Sequence, residues 1–411
     1  MIQKRLINFQ DYIPLFILLL FSGNPLFTSE DYSKTILVIY TLGFVAYMLF
    51  ISGIKVPARM SVIFLVVVAC IIILVLFQHI LLGFVSYPGV FALILKILLG
   101  MFTLLYYMDK KIDFLTVYIK IMAFLVIASL PFWLINHFGW YGYDLNFNHL
   151  KTFFFYTSFQ GLEGYMLVRN SGMFWEPGAF SGYLVLALVF IAIRNGMFQI
   201  GDFKMEALWI TIGILTSMST TGFLVFLIIL NIYIFQNYGL AKIVVIPLTL
   251  VAIYFSYSKL DFLQEKIELQ YQESKELSKS DISNTRFGAW KMDLQYIESQ
   301  PFTGNGLDAK TRYRFHPWIT TDIGHGNGMS NFLVYWGIPF FLFWMFSVYK
   351  SAKTISQTTF IAVCTTLILL LLLQGEQFLN FPIFLMFFII PYVYKIEYTQ
   401  VQAERGQIKN F

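Results

Sequence analysis

The side chains in this chain best suited to chemistry are three groups of basic residues, one carboxylate and one histidine. Arg169 and Glu176 lie in Val168-Arg169-Asn170-Ser171-Gly172-Met173-Phe174-Trp175-Glu176-Pro177-Gly178. Pro177 suits the first turn of a helix, where its missing N–H costs nothing. Glu176 then stands at the helix start, near the positive end of the dipole. Such a pair is either a cap with a surface arginine or two charges converging on a polar substrate. Arg286 falls in or just before the first turn of another helical segment. Free N–H donors and a guanidinium there favour an anion, and a phosphate or diphosphate is the natural guest. Arg312 and Arg314 form a second basic pair in Arg312-Tyr313-Arg314-Phe315-His316. Solvated surface charge is the plain alternative for each of these arginines.

His325 stands in Asp322-Ile323-Gly324-His325-Gly326-Asn327-Gly328. Glycines on both sides let the backbone approach a ligand closely. Imidazole is the side chain best suited to move a proton near neutral pH. The plain alternative is a histidine satisfied by its own loop. His316, beside Pro317-Trp318, is a weaker candidate; His79, His137 and His149 read as structural. Lys96 lies deep in an apolar run, where charge is costly and often functional, and it could face a phosphate from within a helix bundle. Lys120, near the end of its run, can snorkel. There is no metal-ligand cluster, no glycine-rich nucleotide loop and no Asp-x-Asp pair, so neither a metal nor a cofactor is expected.

The elements that must hold these residues are apolar. The chain of 411 residues is 58% hydrophobic and 12% charged, with mean hydropathy +0.69, against roughly 25% charged in soluble domains. The fold class expected is all-α, a polytopic membrane protein forming one transmembrane domain over residues 1–411. Runs of roughly 17–25 apolar residues give about twelve spans: 12–27, 35–54, 61–82, 89–108, 114–138, 178–194, 205–218, 219–236, 241–257, 331–349, 359–373 and 378–394. The first is broken by Pro14 and by Gly23-Asn24-Pro25. No cleavage site follows it, so it is expected to stay as an anchor. Cys70 and Cys364 lie inside spans and read as packing residues. The net charge of +5 is spread over span ends and loops and is no nucleic-acid signal.

Charge orients the spans. Short loops on one side carry Lys4, Arg5, Lys55, Arg59, Lys110, Lys111, Arg194, Lys204, Lys242, Lys350, Lys353, Lys395, Arg405 and Lys409; those on the other carry Lys34. By the positive-inside rule both termini are cytoplasmic. Two long loops, 139–177 and 258–330, then face outward, in a bacterium toward the periplasm or the outer cell surface. Sugar nucleotides are cytoplasmic and on the wrong side for them. Within the second loop, Leu260, Leu263, Ile267 and Tyr271 fall at helical spacing, as do Phe287, Trp290, Leu294 and Ile297 after a Ser283-Asn284-Thr285 cap. The second of these helices either lies at the membrane interface on its apolar face or packs on its own domain.

Four segments together resemble the bacterial O-antigen polymerase and O-antigen ligase superfamily of membrane glycosyltransferases. They are Arg169…Gly172-Met173-Phe174-Trp175-Glu176-Pro177-Gly178, the hairpin Leu215-Thr216-Ser217-Met218-Ser219-Thr220-Thr221-Gly222, Arg286…Trp290…Ile297…Pro301…Gly304-Asn305-Gly306, and His325-Gly326-Asn327 followed by Leu333 and Gly337-Ile338-Pro339. They cover roughly residues 168–340. Gly326 separates His325 from Asn327, which the family usually keeps adjacent. Some polymerases also carry, in each outer loop, an arginine followed ten residues on by a glycine, a spacing that neither Arg169 nor Arg286 keeps.

The resemblance implies a GT-C-like fold in the bacterial inner membrane with its active site facing the periplasm. The implied reaction is metal-independent transfer of a glycan from undecaprenyl diphosphate to an acceptor hydroxyl. Arg169, Arg286, Arg312 and Arg314 would bind the diphosphate, with Lys96, His316 and Asn327 as further substrate contacts. His325 or Glu176 would be the base, and Glu176, so close to Arg169, is the poorer one. The reading adopted is a polymerase joining lipid-linked repeat units, with a donor, an acceptor, the bilayer and a chain-length regulator as partners. Its alternatives are a ligase acting on lipid A core and, from another class, a lipid-linked oligosaccharide flippase. Flippases usually show mid-bilayer ionisable groups and paired broken helices, whereas here Lys96 is the deep charge.

Overall fold

The computed structural model describes residues 7–28, 30–139, 143–144, 150–152, 155–162, 165–239, 247, 286–319 and 325–394. Among them, seven helices are long and apolar enough to cross a bilayer: Lys34–Ile51, Ala58–Leu82, Tyr87–Asp109, Phe114–His137, Pro177–Asn195, Thr220–Asn237 and Gly328–Ser356. The shorter Phe9–Leu20, Lys204–Ser217 and Thr359–Leu373 helices pack among them. Chain chemistry sets their ends. Gly83 and Gly196 close helices in the left-handed conformation, at φ 79° and 70°, where a Cβ would be strained. Asp113, Ser219 and Asn327 cap helix starts through side-chain oxygens.

Of the twelve runs expected to span, two depart in shape. The 12–27 run is helical to Leu20 and then turns at Gly23-Asn24. The 378–394 run is not one helix: short turns at Phe378–Asn380, Pro382–Leu385 and Met386–Phe388 follow one another, and Phe381 is extended at φ −107°, ψ 145°. Nearly every side chain from Pro382 to Ile390 is buried. Phe378, Phe384 and Phe388 pack against Tyr183, Phe340 and Phe343. Apolar content alone does not separate a buried core segment from a span. The 241–257 run lies outside the described residues.

The bundle has two distinct ends. At one, Arg194 pairs with Asp113 at 2.6 Å, Tyr394 donates to Asp113, and Phe198 N–H donates to Gln236. Arg59, Lys110, Lys204, Lys350 and Lys353 belong to helix ends on this side. At the other end, Trp175 N–H meets the Gly23 carbonyl, Asn136 meets Thr157, and Gln78 meets Thr303. The basic helix ends thus gather at the end opposite the described parts of both long loops.

The 139–177 segment, expected as a loop in an all-α chain, holds a four-stranded antiparallel meander instead. Its strands are β1 (Tyr143–Asp144), β2 (Leu150–Thr152), β3 (Tyr156–Leu162) and β4 (Tyr165–Gly172). Ser158 faces Arg169, and a bulge falls at Tyr156/Thr157. The last strand is pinned to the bundle: Trp133 Nε1 donates to the Val168 carbonyl at 3.0 Å, and Asn170 Nδ2 donates to Ser129 Oγ at 3.0 Å and to Thr216 Oγ1 at 3.4 Å.

The Arg286–Ser299 segment is helical, as its spacing indicates, while the Ser283-Asn284-Thr285 cap run lies outside the described residues. Its buried face differs from expectation. Leu294 is 37% exposed, whereas Ala289, Met292, Asp293 and Tyr296 are buried against the Gly328–Ser356 helix. The helix packs on its own domain because its inner stripe carries a carboxylate that finds partners there. The proposed 260–271 helix lies outside the described residues. The Gly328–Ser356 helix kinks at Gly337 (φ 77°, ψ 168°), ahead of Pro339. Backbone groups that the kink releases are taken up by the outer loop: Ile338 N–H donates to Pro301, Asn305 N–H to Val334 and Gly306 N–H to Tyr335.

Candidate functional site

Arg169 and Arg286 come from different outer segments and meet on one hairpin. Arg169 Nε donates to the Ser217 carbonyl at 3.3 Å, and Arg286 Nη1 donates to Thr221 Oγ1 at 2.6 Å. The hairpin turns tightly because Met218 takes φ 47° and Ser219 caps the next helix. Arg169 is buried. Its pKa is lowered by desolvation, raised by the nearby Glu176 and Glu376, and lowered again by Arg286. A guanidinium stays protonated in proteins, so two cations stand within each other's field.

Glu176 is the N-cap residue of the Pro177–Asn195 helix, with φ −162° and no side-chain cap bond. Its Oε1 accepts from Trp175 Nε1 at 3.1 Å. A second carboxylate, Glu376, reaches the same helix start. A Cβ on Gly178 would overlap its Oε1, so glycine there is what admits it. The turn carrying Glu376 also touches the hairpin, since a Cβ on Gly375 would lie 2.9 Å from Thr221 Oγ1. The site is therefore two guanidiniums and two carboxylates at one helix start, at the end of the bundle opposite the basic loops.

His325 occupies a different setting. Its side chain, with those of Asp293 and Arg312, has 0% exposure. Arg312 Nη2 lies 2.6 Å from Asp293 Oδ1, and His325 Nε2 lies 3.1 Å from Asp293 Oδ2 and 3.1 Å from Arg312 Nη2. His325 Nδ1 accepts from Asn327 N–H at 3.3 Å. That acceptor role puts the ring hydrogen on Nε2, directed at Asp293. Ser330 Oγ also donates to Asp293, and Arg312 Nε donates to Asn331. Three tyrosine rings, of Tyr296, Tyr313 and Tyr335, lie 4.6–5.7 Å from the guanidinium. Burial alone would raise the Asp293 pKa, but the charge of Arg312 and the hydrogen bonds from His325 and Ser330 hold it below the ordinary carboxylate range. Arg312 and His325 thus both bind Asp293.

The other expected contacts are dispersed. Arg314 donates to Ser299 Oγ at 2.7 Å, at the far end of the 14-residue helix and so about 20 Å along its axis from Arg286. His316 Nδ1 meets the Tyr296 hydroxyl at 2.8 Å. Its pKa is lowered, by desolvation first and then by Arg312, with Asp293 opposing. Asn327 accepts from Ser330 N–H and donates to Gln374. Lys96 Nζ donates to the Asn380 carbonyl at 2.8 Å and sits 5.6 Å from the Phe381 ring. Trp175 stacks on that ring at 4.7 Å, so Lys96 underlies the Glu176 wall.

Sequence reasoning missed Glu376, Asp293 and Thr221. Glu376 could have been suspected as the acid standing between two apolar runs. Asp293 carries no such signal, because the apolar repeat of Phe287, Trp290, Leu294 and Ile297 falls on another face of its helix. The glycines also have other work. A Cβ on Gly328 would overlap the Glu376 carbonyl, and Gly304 and Gly337 lie against each other's segments. Two of the four family-like segments are therefore packing partners. No group of three or more His, Cys, Asp or Glu side chains among the described residues is arranged to hold a metal ion. Cys70 and Cys364 are free thiols. No family model, curated protein or solved structure matches this chain.

Proposed function

We propose that the chain is a membrane glycosyltransferase that joins lipid-linked oligosaccharide repeats, resembling O-antigen polymerases. The observation carrying this reading is the hairpin that holds Arg169 at Ser217 and Arg286 at Thr221. Two fixed guanidiniums suit a diphosphate leaving group, whose charge grows as the sugar departs. In the reaction, an acceptor hydroxyl oxygen bonds to the anomeric carbon of the donor glycan. The bond from that carbon to the phosphate oxygen breaks, and the lipid diphosphate leaves with its electron pair against Arg169 and Arg286. Glu176, at the same helix start, takes the hydroxyl proton. The exposed apolar faces of the spanning helices leave the lipid tail in the bilayer.

The test uses purified protein with a defined undecaprenyl-diphosphate oligosaccharide and sizing of the products. Arg286→Ala is expected to lower polymer formation about 10²- to 10³-fold while the protein stays inserted and folded. Polymer of normal length and rate from that variant would refute the diphosphate role. In cells, single-repeat glycan on its final carrier marks loss of a polymerase, whereas unattached lipid-linked polymer marks loss of a ligase.

A further inference from the structure

We infer that the buried Asp293–Arg312–His325 cluster fixes the position of Arg286, and that His325 is a positioning residue for the anion clamp rather than the proton acceptor. The inference rests on the diphosphate reading of Arg286 given above. Arg286, Ala289, Asp293 and Tyr296 recur at spacings of three, four and three on the Arg286–Ser299 helix, which places them on one stripe. Asp293 lies two turns, or about 10.5 Å, along that stripe from Arg286. Its carboxylate is held by Arg312 from the Ala309–Arg312 turn and by His325 and Ser330 from the start of the Gly328–Ser356 helix. These bonds come from two other segments, so they resist both a roll and a slide of the helix.

The size of the effect follows from geometry. A roll of about 20° moves a group about 6 Å from the helix axis by about 2 Å. A misplacement of about 1 Å at a reacting centre can cost about 10²-fold in rate. Losing the Asp293 anchor therefore reaches chemistry through Arg286 without any contact between the cluster and substrate. His325 adds no proton route: its side chain is closed to solvent, Nδ1 is occupied by the Asn327 N–H, and Nε2 lies between Asp293 and Arg312. Among the described residues, those two side chains are the charged groups that touch the ring. His316 stands on the outer side of the cluster, joined to Tyr296.

The experiment is a double-mutant cycle on the full-length protein in nanodiscs, with an undecaprenyl-diphosphate oligosaccharide as donor and acceptor. Arg286→Ala, Asp293→Asn, the double variant and His325→Gln are compared for rate, for KM and for the pH–rate profile, alongside thermal unfolding. Asp293→Asn is expected to lower the rate about 10- to 100-fold and to cost nothing further in the Arg286→Ala background. Glutamine at 325 can donate to Asp293 and accept from Asn327. Its variant is expected to stay within about tenfold of the parent with both limbs of the profile in place, whereas loss of a base costs about 10²–10⁴. Additive losses from Arg286→Ala and Asp293→Asn would overturn the inference and leave the diphosphate reading standing. So would loss of a profile limb in His325→Gln. A parental rate in Arg286→Ala would sink the diphosphate reading itself. If Asp293→Asn does not fold, Ser330→Ala, which removes one hydrogen bond to Asp293, carries the same non-additivity test.

Discussion

Replacing Arg312 with methionine probes the buried cluster directly. The guanidinium is fully enclosed and lies 2.6 Å from Asp293 Oδ1 and 3.0 Å from Asn331 Oδ1. Methionine keeps much of the volume, so the cavity contribution is small and the loss is electrostatic. Removing one partner of a buried ion pair costs about 3–5 kcal/mol, because the other charge stays desolvated. That is roughly two to four orders of magnitude in the folding equilibrium. The penalty depends on pH with a definite sign. In the parent protein the Asp293 carboxyl titrates below its ordinary range. Its contribution is therefore complete above the unfolded carboxylate pKa of about 3.9 and is lost as pH falls through the lower folded value. In Arg312→Met the main compensating charge is gone and burial dominates. The folded pKa then lies above the unfolded one, and protonation relieves the variant. The gap in unfolding midpoint between parent and variant should thus narrow from pH 7.5 to pH 5. Adding Asp293→Asn should restore most of the lost stability at pH 7.5. The assay is thermal unfolding of purified protein in one detergent at one scan rate, since membrane proteins often unfold irreversibly. An Arg312→Met variant that melts with the parent at pH 7.5 would refute the reasoning, as would a double variant less stable than either single one.

Two further outcomes test the packing under the site. Gly337→Ala should yield little folded protein by gel filtration, because its φ of 77° is strained for alanine and the added Cβ would overlap the Phe302 carbonyl; normal yield would contradict the kink. Gln78→Leu removes the side-chain donor to Thr303 and Tyr335 at 2.7 and 2.8 Å. It should cost about 1–3 kcal/mol for the orphaned carbonyl and open the 301–306 segment to protease, and an unchanged melting point with no new cleavage would count against that contact.

Much of the architecture was legible because membrane-length apolar runs and terminal caps are local signals. The Arg286–Ser299 segment is helical as its spacing indicates, and the Glu176-Pro177 start is readable from proline chemistry. What was not legible depends on long-range pairing. β4 is held by Ser129, Trp133 and Thr216, none of which is near it in sequence. The Phe378–Phe388 turns carry the composition of a span, and burial on every side rather than lipid explains that composition. The four residues of the site divide in the same way. Arg169, Glu176 and Arg286 were visible as isolated charges beside helix starts, whereas Glu376 enters only because Gly178 lacks a side chain. His325 among glycines suggests room for a ligand, whereas Gly328 admits the turn that carries Glu376.

The bonding between residues 301–306 and the Gly337 kink bears on how this molecule can breathe. Pro301, Asn305 and Gly306 complete the hydrogen bonds of a helix interrupted within the bundle. Lifting that stretch would bare polar backbone to an apolar surrounding, so opening it requires unfolding part of the Gly328–Ser356 helix as well. The amides of Asn305, Gly306 and Ile338 should exchange with deuterium as slowly as those of the central helices, although they belong to or adjoin a surface loop. Any motion that opens this end of the bundle must hinge elsewhere, with this stretch acting as a fixed sill.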